Sequence, residues 1–84
     1  MSAEGRVQLS HRLKLHIAVM TGRSADSIDG SDTIGSFDID SVDSIQLAME
    51  VEKDLGHEID PEIFLRSGST IDHIVDRLID GGQE

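Results

Sequence analysis

Four histidines, an aspartate-rich stretch and one serine at the head of an amphipathic run are the residues here that could do chemistry. A serine nucleophile needs a base and an oriented third group. None of His11, His16, His57 and His73 stands in a recognisable relation to Ser41. A chain of 84 residues is also too short to enclose a substrate pocket with an oxyanion hole, so no intrinsic enzyme activity is expected. A calcium loop needs alternating oxygen ligands, a glycine at the sixth position and a glutamate at the twelfth. Counting from Asp38, the twelfth residue is Met49; from Asp29, the sixth is Ile34 and the twelfth Asp40. Neither register fits. His11 and His16 are five apart and do not share a helical face, and there is no cysteine for a thiolate site. No metal site is expected.

What remains is Ser41 itself, either a substrate for another enzyme or one more member of a helix cap. Its surroundings favour neither by themselves, but they are unusual. At about 100° of rotation per residue, with Leu47 at zero, Val51 falls near 40°, Leu55 near 80° and Ala48 near 100°. Those four form the stripe to bury. Val42, Ile45 and Met49 fall near about 220°, 160° and 200°, on the opposite side of the same cylinder. Gln46 and Lys53 flank this second stripe on one edge and Glu52 on the other. A helix of a small domain needs one apolar stripe. Scattered apolar surface residues are ordinary, but three at helical spacing beside a serine mark a surface where another protein can land.

Four helices position these residues. The first covers roughly 4–20, with Leu9, Leu13, Ile17 and Met20 on one stripe and Gly22 as its left-handed cap. A long Gly-, Ser- and Asp-rich connection follows over roughly 22–39, and Ile28, Ile34, Phe37 and Ile39 are expected to pin it to the core. The second helix spans about 41–54, with Asp40 as N-cap, Asp43 three residues on and Gly56 as the stop. Asp60-Pro61 starts a short third helix over about 61–66. The fourth begins near Ser69 or Thr70, where Ile71, Ile74, Val75, Leu78 and Ile79 keep helical spacing. The expectation is an all-α, four-helix bundle in a single domain over 1–84, with its core at about 6–79 and a frayed tail at 80–84. Phe37 and Phe64 are the only aromatic residues, so the interior is mostly aliphatic and soft enough to part for an apolar guest.

The formal net charge is −10, which excludes nucleic acid as a partner, since phosphate binding needs a basic face. Residues 1–23 carry Arg6, Arg12, Lys14 and Arg23 against Glu4 alone, whereas residues 24–84 carry three basic and sixteen acidic residues. A field of that sign steers basic partners toward the second helix. No apolar run approaches a membrane span, and the N-terminus lacks a signal-peptide pattern. A cytoplasmic monomer is expected.

At this point the chain resembles the acyl carrier proteins. That family opens the second helix of a four-helix bundle with Asp-Ser-Leu; Asp40-Ser41-Val42 matches with valine for leucine. Asp43, Ile45, Leu47, Met49, Val51, Glu52 and Leu55-Gly56 match position by position. Ile59-Asp60-Pro61 is similar to the family's lead into its third helix, and Ser69-Thr70-Ile71 to its lead into the fourth. The resemblance covers roughly residues 6–79. It implies that a phosphopantetheinyl transferase moves 4′-phosphopantetheine from coenzyme A onto the Ser41 hydroxyl, beside Asp40. The arm's thiol then carries acyl groups as thioesters between enzymes that load and modify them. It implies a partner face of Val42, Asp43, Ile45, Gln46, Met49, Glu50, Glu52 and Lys53. The acids of that face, with Asp54, would meet basic docking patches on the partners.

Three departures qualify the resemblance. Fatty-acid carriers usually have glycine at the position of Asp38, glutamate at that of Gln46 and another acid at that of Lys53. Loss of two acidic contacts argues for a dedicated polyketide or other specialised acyl pathway over primary fatty-acid synthesis. The initial Met and the one-domain length point to a discrete carrier. Two alternatives stay open: a peptidyl or aminoacyl carrier, less acidic around the second helix, and an acidic helical adaptor that is never modified.

Overall fold

The computed structural model describes residues 3–81. Its regular structure is three α-helices, α1 (Ala3–Thr21), α2 (Ser41–Leu55) and α3 (Ile71–Gly81), with three short 3-10 segments between them. No strand forms among the described residues; a single antiparallel bridge joins Thr33 and Thr70. The fold is all-α. Where Asp60-Pro61 predicts a short third helix, the structure has the 3-10 segment Pro61–Phe64, started by Asp60, whose carboxylate accepts the Glu62 N–H at 3.0 Å. Only Phe64 of that segment is fully buried, so there is no second apolar turn to extend it. The last helix continues through Gly81; the rest of the tail expected to fray lies outside the described residues.

α1 buries Leu9, Leu13 and Ile17 at the spacing read from the sequence. It also exposes Val7, Leu15 and Val19, which makes it less one-sided than its core stripe alone implies. Gly22, at φ 73, turns the chain out of α1, and the Arg23 N–H returns to the Ala18 carbonyl at 3.0 Å. α2 lies against α1 through Leu47, Ala48 and Val51, and α3 closes the core with Ile71, Ile74, Val75 and Leu78. Ion pairs join the same elements at the surface: Arg6 of α1 with Asp76 of α3, and Arg12 with Asp54 of α2.

The long connection between α1 and α2 is held at both levels, side chain and backbone. Ile28, Ile34 and Phe37 are buried and Ile39 packs against the core. Its backbone is also zipped onto the stretch before α3. The Ile34 N–H donates to the Ser69 carbonyl at 2.8 Å and the Gly35 N–H to the Ser67 carbonyl at 3.1 Å. In return the Ile71 N–H donates to Asp32 at 3.1 Å and the Asp72 N–H to Gly30 at 2.9 Å. Gly35 permits this approach: a Cβ there would stand 2.7 Å from the Ser67 Cβ. The turn at 29–32 is tied by the Asp29 carboxylate, which accepts from the Ser31 N–H at 3.0 Å and its hydroxyl at 3.1 Å. Those two bonds, the backbone one first, hold the Asp29 carboxyl below the usual carboxylate range. The connection therefore delivers a fixed backbone to the start of α2.

Candidate functional site

Ser41 is the first residue of α2, and its side chain is exposed. Among the described residues no hydrogen bond engages its hydroxyl. The serines at 27, 36 and 44 instead donate theirs to backbone carbonyls. The turn around Ser41 is fixed on both sides. Asp40 is the N-cap; its carboxylate accepts the Asp43 N–H at 2.8 Å, and its carbonyl accepts the Ser44 N–H at 2.9 Å. Ser44 is buried under the first turn, and its hydroxyl donates to the Ser41 carbonyl at 2.8 Å. On the approach side, Arg23 donates to the Ser36 carbonyl at 3.3 Å, and its guanidinium carbon lies 5.2 Å from the centroid of the Phe37 ring. A free hydroxyl on a rigid, capped helix start is what a transferred group requires. The residues present therefore fit a covalently attached arm.

The two faces of α2 separate as the rotation predicts. Leu47 is 0 % exposed, whereas Val42 is 70 %, Ile45 52 % and Met49 55 % exposed. Gln46 and Lys53 are exposed beside them, and Lys53 reaches Glu50 at 3.5 Å. An open groove of about 360 Å³ continues this face toward the end of the helix, lined by Met49, Glu52, Lys53, Gly56, His57 and Glu58. The acids are not equally available. Glu52 is half-buried, and its carboxylate accepts the Ile59 N–H at 2.9 Å, tying α2 to the following loop. Asp54 points the other way, 13 % exposed, with Arg12 at 3.2 Å and His16 at 2.9 Å. The rotation that places Leu47 at zero puts Asp54 near about 340°, on the core side.

Two features of the site carry no strong sequence signal; a third, the buried Ser44, does, since the rotation that sets Leu47 at zero puts it near about 60°, inside the stripe to bury. The contact of Arg23 with Ser36 and Phe37 spans a loop with no periodicity. Asp38 adopts a left-handed conformation, φ 54 and ψ 40, that its residue type only weakly foretells. A second groove, of about 220 Å³, lies between Ile59, Ile63, Arg66, Arg77 and Leu78, and Ser41 does not line it. Among the described residues no three metal-ligating side chains gather. No helix is long and apolar enough to cross a membrane.

The described residues thus form an all-α domain with a free hydroxyl at a capped helix start, beside an exposed apolar stripe. The family model described as the phosphopantetheine attachment site matches residues 11–78. The chain belongs to that family, and it is a carrier protein of the acyl carrier type. Members carry covalently attached 4′-phosphopantetheine and are not themselves catalytic. No curated protein and no solved structure matches the chain.

Proposed function

We propose that Ser41 is the attachment residue, and that the chain shuttles acyl intermediates within a dedicated pathway, polyketide or another specialised acyl product. One observation carries this reading: the exposed, unengaged Ser41 hydroxyl at the capped start of α2, next to Val42. When bound, the arm supplies a thiol that this cysteine-free chain lacks. The chain's own part is to hold the attachment point rigid, through Asp40 and Ser44, and to present a landing surface. Val42, Ile45 and Met49 form the apolar centre of that surface, and Asp43, Glu50 and Glu52 supply acids on and around it. Contacts of this kind set on-rate and choice of partner and still allow release, as a shuttle requires. Tethering keeps the cargo at high effective concentration for each partner in turn.

The partners are a phosphopantetheinyl transferase and enzymes with basic docking patches, met by a cytoplasmic monomer. Pro61–Phe64 takes the place of the third helix in a four-element bundle. The exposed Gln46 and Lys53 support a pathway other than primary fatty-acid synthesis, because each removes an acid from the docking face. The dense acidity of residues 24–84 favours acyl over aminoacyl cargo.

The test is direct. Incubate the protein with coenzyme A and a broad-specificity transferase, then weigh it intact. One added arm on the wild type and none on Ser41→Ala is expected. An unmodified wild type, or equal modification of Ser41→Ala, rejects the assignment and leaves the acidic adaptor.

A further inference from the structure

Asp38 is the only residue other than glycine with a positive φ among the described residues. The left-handed region disfavours any side chain, and glycine enters it freely. Aspartate visits it more often than most residues because its short carboxylate can hydrogen-bond nearby backbone. Asp38 makes no such bond: among the described residues no hydrogen bond or ion pair engages its carboxylate. Most aspartates of residues 22–40 have work in the fold; Asp26 is likewise unengaged but lies farther along the chain from Ser41. Asp29 accepts from Ser31, Asp32 accepts the Asp29 N–H at 2.9 Å, and Asp40 caps α2. Asp38 thus keeps an exposed carboxylate, where glycine would fit without strain, that does nothing for the fold. The backbone of Asp38 has a place in the fold, as the left-handed cap of the 3-10 segment Ile34–Phe37 with its N–H donating to the Gly35 carbonyl at 3.4 Å, but its carboxylate has none, which leaves the side chain free for something outside the chain. Asp38 stands three positions before Ser41, so the two lie within about 10 Å even along extended backbone.

We propose that Asp38 is a specificity-determining contact for modification of Ser41, its carboxylate meeting a basic side chain of the phosphopantetheinyl transferase. The proposal rests on the carrier reading and extends the recognition surface to the connection that precedes α2. The transferase must approach the Ser41 hydroxyl itself, so its surface passes over the residues leading into the helix. A single exposed charge pair changes encounter more than turnover, and salt screens it.

The experiment uses the full chain with coenzyme A and a broad-specificity transferase, and compares wild type, Asp38→Asn and Asp38→Gly. Asp38→Asn keeps the shape and removes the charge; Asp38→Gly removes both charge and strain. Both are expected to lower kcat/KM about two- to fivefold, through KM, with the difference fading at about 0.5 M salt. The melting midpoint should stay unchanged in Asp38→Asn and stay or rise in Asp38→Gly. Equal kcat/KM for all three proteins overturns the proposal and makes the carboxylate a plain solubility charge. A loss confined to Asp38→Gly overturns it in favour of backbone stiffness, and a lowered midpoint in Asp38→Asn does so in favour of a structural carboxylate. A wild type that is never modified removes the carrier reading as well, which distinguishes the two failures.

Discussion

The Ser44 hydroxyl donates to the Ser41 carbonyl at 2.8 Å from a side chain that is 1 % exposed. Ser41 therefore rests on another serine, buried in an otherwise apolar core. Ser44→Ala removes the hydroxyl but leaves the Ser41 carbonyl its ordinary helical partner four residues on, so it should cost no more than about 1 kcal/mol. Ser44→Leu forces extra carbon under the first turn and should cost about 1–3 kcal/mol. Urea melts of the two variants check this; equal losses would mean that the hydroxyl and not the volume matters.

Two residues on one helix, two apart, test its two faces. Leu47→Ala opens a cavity in the core and should cost about 2–5 kcal/mol, a large share of what so small a domain has. Met49→Ala should leave stability within about 0.5 kcal/mol and slow a cognate partner about fivefold. Thermal melts and steady-state turnover read the two effects separately. A destabilised Met49→Ala, or a Leu47→Ala that melts like wild type, would contradict the division.

That division was legible in the sequence, because rotation along a helix is arithmetic and Gly56 and Asp40 mark its ends. α1 and α3 were legible for the same reason. The zipper of residues 30–35 onto 67–72 was not, since backbone hydrogen bonds leave no side-chain period. The extent of the segment after Pro61 was not either: Asp60-Pro61 announces a start, but its length depends on what else can be buried, and only Phe64 is. The charge of Asp54 suggests the docking face, but its place on the helix says otherwise. Its angle near Leu47 already set it against α1, away from Val42, Ile45 and Met49.

Asp54 holds α1 to α2 through Arg12 and His16, and the two pairs differ in weight. Arg12 is largely exposed, so Arg12→Ala should cost under about 1 kcal/mol. Asp54→Ala also strips His16 of a partly buried partner and should cost about 1–2 kcal/mol. Neither should alter the rate at which Ser41 is modified, because Asp54 lies on the last turn of α2 and Ser41 on the first. A slowed modification in a fully folded Asp54→Ala would return Asp54 to the docking face.

Gly35→Ala puts a methyl group 2.7 Å from the Ser67 Cβ and 2.9 Å from its carbonyl oxygen, and backbone must yield. A loss of about 1–3 kcal/mol is expected. Amide exchange should quicken at Ile34 and Gly35, whose N–H groups reach Ser69 and Ser67, before it does in α1. Gly30→Ala should cost less, since it meets only the movable carboxylate of Asp72. Uniform exchange across the chain in Gly35→Ala would mean that the connection does not open by itself.

Gln46 and Lys53 are the two positions of the proposed docking face where the charge pattern departs from that usual in fatty-acid carriers. Both are exposed, and the single local tie is Lys53 to Glu50 at 3.5 Å. Gln46→Glu with Lys53→Glu shifts the face by three negative charges. The second change sets like charges three residues apart on α2, which costs about 0.2–0.5 kcal/mol and leaves the fold intact. If lost acids are what exclude generic partners, the double variant should turn over faster with a fatty-acid synthase enzyme that docks through a basic patch. The gain should appear in KM and shrink as salt rises, as a steering effect must. Unchanged turnover at low salt would mean that partner choice is made elsewhere, at Val42, Ile45 and Met49 or on the approach to Ser41, and would remove the charge argument for a dedicated pathway.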